Sequence, residues 1–275
     1  RIRRSSVTGP GIEHAWISRV ASVGLLPLAR LLHDRGRRPL VVLAYSDTHA
    51  ASSASNPGNP RIAPSAIFES QMLLVAERCM PTASGDVASY LSGRAVLPRR
   101  AVVLAFEACD PHLALALPIL QRRRIPATVL LRECDPGTPG DPMNPAETPV
   151  LSGVAIRRLA TEGIEFGLRW TDDASSDRSG GPALPDRLLQ SRLQSEALTG
   201  AACRVIAFRG SSRGRSDVGM LRAAGLAGFR LALSDAAGAN WLGALDPFGL
   251  RCQRVALDTG LRRFRSMLEL ADWVD

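Results

Sequence analysis

Strand-like and helix-like segments alternate regularly between residues 101 and 233, and this alternation restricts the chain to few folds. A segment with helical spacing follows each strand-like run except the last. Crossover helices between successive strands imply that the strands are parallel. The pattern predicts an α/β fold with a parallel sheet, either open or closed into a barrel. The strand-like runs are 101–106, 125–131, 164–168, 204–208 and 229–233.

Further elements are predicted on both sides of this region. The apolar run PLVVLAY at 39–45 predicts a buried strand, and RCQRVAL at 251–257 predicts another. Residues 65–79 carry apolar side chains at helical spacing after a serine cap, and the last 15 residues include a helical segment. Segments 46–63 and 134–149 are rich in proline, glycine and polar residues, which predicts loops.

The strongly basic composition gives little support to a nucleic-acid partner. The net charge is +8, and all 34 basic side chains are arginine. These arginines are scattered, aromatic residues make up only 5%, and no nucleic-acid-binding motif is present. We expect no nucleic-acid partner.

Cysteine usage and the apolar segments bear on the compartment. The five cysteines form no C-x-x-C pair, which argues against a zinc knuckle and favours a reducing compartment. The most apolar early stretch, residues 12–32, contains Glu13, Arg19, Pro27 and Arg30, so it predicts an amphipathic helix and no transmembrane segment. With no signal peptide visible, we predict a cytoplasmic location.

Polar side chains follow several predicted strands, where parallel α/β folds carry their sites. We therefore expect a site at the carboxyl ends of the strands. No dinucleotide or phosphate-binding glycine motif follows any of them. The segments to consider are Tyr45–Asp47, Glu107–Asp110, Arg169–Asp173 and Arg209–Arg215.

Two long segments resemble motifs of one enzyme family. LSGRAVLPRRAVVLAFEACD is similar to L-x-G-x-x-x-L-P-x-x-x-V-V-L-T-F-D-D-G, and LALPILQRRRIPATVLL is similar to A-x-P-I-L-x-x-x-x-I-P-A-T-F-F. IFESQMLLVAER resembles F-x-x-Q-x-x-x-L, and VVLAYSD resembles a first strand that ends in Y-H. Over most of residues 36–265 the chain thus resembles the polysaccharide deacetylases (NodB-homology, carbohydrate esterase family four).

This resemblance implies a distorted (β/α)7 barrel of the glycoside hydrolase/deacetylase type. We divide the chain into an N-terminal helical extension, 1–35, and a polysaccharide-deacetylase-like barrel domain, 36–275. In the family, an aspartate and two histidines hold a divalent metal, usually zinc. A second aspartate acts as the general base on metal-bound water, which attacks the acetamide.

Placed on this sequence, the family's roles fall largely on other residue types. Glu107 stands at the base position and Ala108 at the metal-binding aspartate. Arg169 and Asp173 stand at the two histidines, and Arg209 is the retained arginine of the third motif. The resemblance implies a catalytic role for Glu107 and Arg209, and substrate binding by Ser46, Arg169, Trp170, Asp173, Ser212 and Arg254.

The substitutions remove the donors that a zinc site requires. Ala108 offers no donor atom, and an arginine at 169 brings a permanent positive charge that repels a dication. We therefore expect no metal and no other cofactor. We expect instead that Arg169, together with Arg209, pairs with Glu107 and Asp173, so that a guanidinium replaces the metal.

Other constellations remain open alternatives. Trp170 and Trp241 provide either stacking surfaces for sugar rings or packing. Cys109 and His112 form either a nucleophile–base pair or unrelated packing and capping groups. Arg209, Arg213 and Arg215 form either a solvated face or a site for an acidic sugar or phosphate. A replacement metal site would use Glu107, Asp110, His112, Asp172 and Asp173.

A serine-hydrolase site is the last alternative. Its residue types are present in Ser46, Asp47 and His49, but the G-x-S-x-G turn is absent from the sequence.

The sequence therefore predicts a polysaccharide deacetylase-like protein of carbohydrate metabolism that has lost metal-dependent N-deacetylation and binds an N-acetylated or acidic polysaccharide. One alternative is an active hydrolase that uses Glu107 in a rearranged site. Another is a non-catalytic interaction module that uses the N-terminal helix and the basic rim.

Overall fold

The computed structural model describes residues 39–45, 64–108, 113–132, 151–171, 183–209 and 218–270. The strands are β1 Pro39–Tyr45, β2 Met80–Pro81, β3 Ala101–Glu107, β4 Thr128–Arg132, β5 Glu165–Thr171, β6 Val205–Arg209, β7 Leu231–Leu233, β8 Asn240–Trp241 and β9 Gln253–Val255. The helices are α1 Pro64–Arg78, α2 Ser84–Leu91, α3 Leu113–Arg123, α4 Gly153–Thr161, α5 Leu184–Thr199, α6 Val218–Leu226 and α7 Leu261–Leu270, with a short 3-10 helix at Leu242–Ala244.

Parallel strands form the centre of the fold. In chain order β3, β4, β5, β6 and β7 pair successively in parallel, and β1 pairs in parallel with β3. All residues of β1 and β3 are buried. Their continuous apolar sequences are what strands covered on both faces require.

The sheet curls until its two ends meet. β9 pairs in parallel with β1, and Leu233 at the end of β7 bridges to Leu250, which lies just before β9. Backbone hydrogen bonds strengthen this junction: the Leu250 N–H donates to the Ala232 carbonyl, and the Ser234 N–H donates to the Leu250 carbonyl. Seven strands (β1, β3, β4, β5, β6, β7 and β9) thus surround a common interior, as the predicted distorted (β/α)7 barrel requires.

Alternation along the strands separates an inward face from an outward one. Val42, Val103 and Ala207 belong to a core cluster that lies inside the barrel. Alternate residues such as Leu43 and Leu104 belong to another cluster, which packs against the surrounding helices. This alternation decides which side chains at the strand ends face the barrel mouth.

Helix α2 closes the amino-terminal end of the barrel. Val87 on this helix and Leu97 in the following loop are buried among the inward-facing strand residues. Tyr90 on the same helix donates a hydrogen bond from its hydroxyl group to the Leu242 carbonyl, at 2.9 Å. With this end filled, a ligand site inside the barrel is confined to the carboxyl end.

The predicted strands and helices within the described residues are confirmed. Helix α5 ends at Gly200, which has φ 70° and whose N–H donates to the Glu196 carbonyl. The short strands β2 and β8 were not predicted. Each has only two residues and exists through its partner strand, so it carries no periodic pattern of its own.

Some sequence-based predictions concern other parts of the chain. The N-terminal helical extension lies outside the described residues, and its boundary with the barrel stays a prediction. No helix within the described ranges is both long and apolar enough to cross a membrane. The cytoplasmic location also stays a prediction.

Candidate functional site at the carboxyl end of the barrel

Charged side chains gather on the inward face where the strands end. Glu107 ends β3 and, as an alternate residue of that strand, lies on the same inward face as Val103 and Ala105. Arg132 ends β4, and Arg169 lies two residues before the end of β5. The backbone of Arg209 ends β6, which is the strand-end position predicted for it. The parallel register brings these strand ends to one edge of the barrel.

Glu107 and Arg169 form an ion pair at this edge. The Arg169 Nη1 atom lies 3.5 Å from the Glu107 Oε2 atom, with 5% of the glutamate side chain and 18% of the arginine side chain exposed. The pairing expected between these two residues is therefore present. In such a buried setting the two charges compensate each other, and neither would be well tolerated alone.

A second ion pair lies near the junction that closes the barrel. Arg254 on β9 approaches Asp235 after β7, with 2.6 Å between Arg254 Nη2 and Asp235 Oδ1. The sequence predicted Arg254 as a substrate-binding residue but did not single out Asp235 or Arg132. Both follow the rule that the ends of parallel strands carry the site: Arg132 ends β4, and Asp235 comes two residues after β7. That rule applied to every strand would have found them.

The described part of the outward face beside the mouth is a packed layer of core side chains. Tyr45 at the end of β1 stacks on Phe106 with ring centroids 4.7 Å apart. Its hydroxyl donates to Gln71 Oε1, and Gln71 Nε2 donates to the carbonyls of Leu257 and Thr259. Burial raises the pKa of Tyr45 well above its ordinary value. This glutamine thus joins α1 to β1 and to the segment after β9.

Neither tryptophan, for which sugar stacking and packing were both left open, lies on the inward face at the mouth. Trp170 is 2% exposed and packs on the outward face with residues of α5 and α6, while the Arg187 guanidinium lies 5.0 Å from its ring centroid. The burial of Trp170 therefore argues against its predicted role in substrate binding. Trp241 pairs with Pro39 at the amino end of β1, far along that strand from the mouth.

Several predicted site residues lie outside the described residues, and their roles stay predictions. The strand position of Arg209 is described, but its predicted catalytic role is not tested. The undescribed residues are Ser46, Asp47, His49, Cys109, Asp110, His112, Asp172, Asp173, Ser212, Arg213 and Arg215.

Comparison with solved structures identifies the architecture. IcaB from Ammonifex degensii superposes with a TM-score of 0.61 at 17% identity, covering 85% of this chain and 97% of that one. The deacetylase PplD from Streptococcus pyogenes, solved in complex with acetate, gives 0.61 at 16% identity, covering 85% and 98%. The chain has the polysaccharide deacetylase fold. The BpsB deacetylase domain from Bordetella bronchiseptica is also similar to this deacetylase-fold chain, with a TM-score of 0.57 at 17% identity over 79% of this chain and 96% of that domain.

These likenesses rest on structure. No family model matches the sequence, and no curated protein matches it. The fold resemblance drawn from the motifs is therefore confirmed by geometry, at identities too low to carry an activity across.

The residues of this deacetylase-fold chain do not fit the metal that the fold's enzymes are expected to hold. Ala108, at the position of the metal-binding aspartate, is a buried residue of the outer core cluster. Arg169, at a histidine position, directs its guanidinium at Glu107. Within the described ranges no three His, Cys, Asp or Glu side chains come together as a metal site. Among the described residues, the donor set at this edge therefore suits a guanidinium better than a dication.

Proposed function

We propose that this chain is a polysaccharide deacetylase-like protein of carbohydrate metabolism that has lost metal-dependent N-deacetylation and binds glycan at the carboxyl end of its barrel. In this proposal residues 36–275 form the barrel domain, and the N-terminal 35 residues are an extension of it. The ion pair between Glu107 and Arg169 is the observation that carries the proposal.

The chemical reason lies in what each side chain can donate. A general base in this fold must accept a proton from water activated beside it, and activation requires a Lewis acid held by several donors. Here the carboxylate of Glu107 already faces the guanidinium of Arg169, a cation that belongs to the protein itself. Arginine stays protonated throughout the physiological pH range, so Arg169 cannot take the part of a neutral ligand.

The charges at the mouth support a glycan with acidic groups. Three arginines, Arg132, Arg169 and Arg254, stand at the described strand ends with two carboxylates, Glu107 and Asp235, so one positive charge is in excess there. Guanidinium groups bind carboxylate and sulfate oxygens through paired donors. An N-acetylated polysaccharide with acidic substituents is the class of partner that this composition favours.

Acetate release and glycan binding together test the proposal. Incubation with N-acetylglucosamine oligomers and added zinc should release no acetate above a no-protein control. The wild type should bind to an array of acidic and N-acetylated glycans. The Arg209→Ala variant should bind about tenfold more weakly, or weaker still. Arg99→Gln is the matched control, because Arg99 is exposed and precedes β3 at the end of the barrel opposite to the mouth, and it should bind as the wild type does.

The retained carboxylate at position 107 favours one competing function, an active hydrolase with a rearranged site. Acetate release that survives chelation and disappears in Glu107→Gln would establish that alternative. Acetate release that chelators abolish would instead show that the protein catalyses the metal-dependent reaction. Absence of both release and glycan binding would remove the proposed function altogether.

A further inference from the structure

A basic pocket opens at the amino-terminal end of the barrel, opposite to the mouth. It has a volume of about 380 Å³ and is lined by α2, by the loop after α2 and by the residues that precede β6 and β7. Three of the lining side chains are the arginines Arg94, Arg204 and Arg230, and one is the carboxylate Asp86. We call the cavity lined by these side chains the amino-end pocket; its described lining includes Asp86, Ser89, Ser92, Arg94, Arg204 and Arg230.

Strand pairing forces two of these arginines together. Val205 on β6 pairs with Leu231 on β7, and the N–H groups of both Arg230 and Leu231 donate to the Arg204 carbonyl. Arg204 and Arg230 therefore lie side by side at the start of neighbouring strands. Positive charges that line one pocket repel each other, and an anion bound among them would relieve that repulsion.

The described part of the chain neutralises these charges only in part. None of the three arginines forms an ion pair with a described carboxylate, although Glu165 interacts electrostatically with Arg204 and Asp86 lines the same pocket. Glu196, the acidic residue nearest in sequence to Arg204, accepts hydrogen bonds from Arg192 Nη1 and from the Cys203 N–H. Its Oε1 atom is thus occupied elsewhere.

The half-buried carboxylate of Glu165 beside the pocket is also engaged. Glu165, at the start of β5, accepts the Gly85 N–H through both oxygens, at 3.0 and 3.1 Å. This contact satisfies the amide in the first turn of α2 internally. The positive character of the pocket therefore comes from its arginines and does not rest on the helix terminus.

We propose that the amino-end pocket binds a phosphate group, either as free phosphate or as part of a phosphorylated sugar. Guanidinium groups offer paired donors in a planar fork that matches phosphate oxygens, and three of them around one concave volume favour a doubly charged oxyanion over a monocarboxylate. This site is independent of the glycan-binding function proposed for the opposite end.

Calorimetric titration with inorganic phosphate and, separately, glucose 1-phosphate tests this site, at an ionic strength held constant with sodium chloride. The wild type should show saturable binding of one phosphate per chain. Arg204→Gln and Arg230→Gln should each weaken it by about tenfold or more, and Arg204→Lys should recover part of the affinity because charge is retained. Tighter binding of the sugar phosphate assigns the source to a phosphorylated saccharide, and tighter binding of inorganic phosphate assigns it to the free ion.

Arg262→Gln serves as the control, because it removes one exposed arginine that has no ion pair with any described residue and should leave phosphate binding unchanged. The three pocket arginines are exposed, so the variants should keep the wild-type melting temperature. Saturable binding that is equal in the wild type, Arg204→Gln and Arg230→Gln would overturn the proposal. So would the absence of any heat beyond that of the sodium chloride titration.

Discussion

Arg169 on β5 reaches across β4 to pair with Glu107 on β3, with 3.5 Å between Nη1 and Oε2. The sheet register makes this reach possible. Glu107 and Leu130 are partners, Leu130 and Gly167 are partners, and Arg169 lies two residues beyond Gly167 on the same face. The pair therefore bridges three strands at the edge where related folds carry their chemistry.

Removing only one member of this pair should destabilise the barrel. Arg169→Gln removes the guanidinium that faces the largely buried carboxylate of Glu107, so we expect the free energy of unfolding to fall by about 3 kcal/mol. The double variant Glu107→Gln, Arg169→Gln should recover much of this loss. Urea unfolding of the wild type, both single variants and the double variant gives the coupling free energy directly. Additive single effects would show that the two side chains do not interact.

Gly167 should tolerate no side chain, because neighbouring strands approach it closely. A Cβ atom there would lie 2.9 Å from Leu130 Cδ2 and 2.9 Å from the Val205 carbonyl oxygen. We expect Gly167→Ala to lower the free energy of unfolding by about 1–3 kcal/mol through overpacking. Gly243→Ala is the control, since a Cβ atom at 243 meets nothing within 4 Å. Equal thermal stability of the two variants would contradict the packing described here.

Glu165 should make the barrel less stable as the pH rises above the acid range. Burial raises the pKa of Glu165 from its ordinary value of 4.5, although the hydrogen bonds from Gly85 and Ser84 partly oppose this. The folded state then holds the proton more tightly than the unfolded state, so the free energy of unfolding falls as pH rises through and above 4.5. Relative to Glu165→Gln, the wild type should lose stability between about pH 4 and about pH 7 in urea unfolding.

Glu69 provides a comparison of opposite sign. Hydrogen bonds from Arg123 and Arg122 lower the pKa of this exposed carboxyl group. Relative to Glu69→Gln, the wild type should therefore gain stability as the pH rises through the acid range to about 4.5 and keep that gain above it, by a smaller amount because solvent screens the exposed pair. A wild-type-minus-variant difference that rises with pH for Glu165→Gln would contradict the buried environment of Glu165.

Cys203 should resist alkylation in the folded protein. Burial raises the pKa of the Cys203 thiol to about 12, so almost none of it is thiolate near neutral pH. Cys79 is partly exposed and should react first among the three described cysteines, Cys79, Cys203 and Cys252. Iodoacetamide labelling mapped by peptide mass spectrometry measures this order. Rapid labelling of Cys203 without denaturant would contradict its placement, whereas labelling in guanidinium chloride should be complete.

Much of the barrel could be predicted because its strands are continuous apolar runs separated by helical segments. The runs that became β1 and β3 contain no polar interruption until their carboxyl ends, which is the pattern of a strand buried on both faces. The pairing of Arg169 with Glu107 was also accessible, because the motifs aligned both residues with one family site. Period-two alternation also places Trp170 opposite to Arg169, so its burial on the helix-covered face follows once Arg169 is known to face inward.

The amino-end pocket shows what the sequence could not reveal. Arg94 and Arg204 are more than a hundred residues apart in the chain, and neither belongs to a recognisable motif. Their proximity depends on the packing of α2 against the barrel end and on the pairing of β6 with β7. Likewise Asp235 meets Arg254 only because the sheet closes at Leu233 and Leu250. Such relationships arise from closure of the barrel and leave no local pattern.

The zinc stoichiometry of the purified chain tests the central claim most directly. Elemental analysis by mass spectrometry, after incubation with excess zinc and gel filtration, measures the metal that the protein retains. The variant Ala108→Asp, Arg169→His, Asp173→His, which reinstates the family's ligand types, serves as the comparison and should retain more zinc than the wild type. The account predicts far less than one zinc per wild-type chain, since a guanidinium occupies the position of a ligand. One tightly held zinc ion per wild-type chain would contradict it.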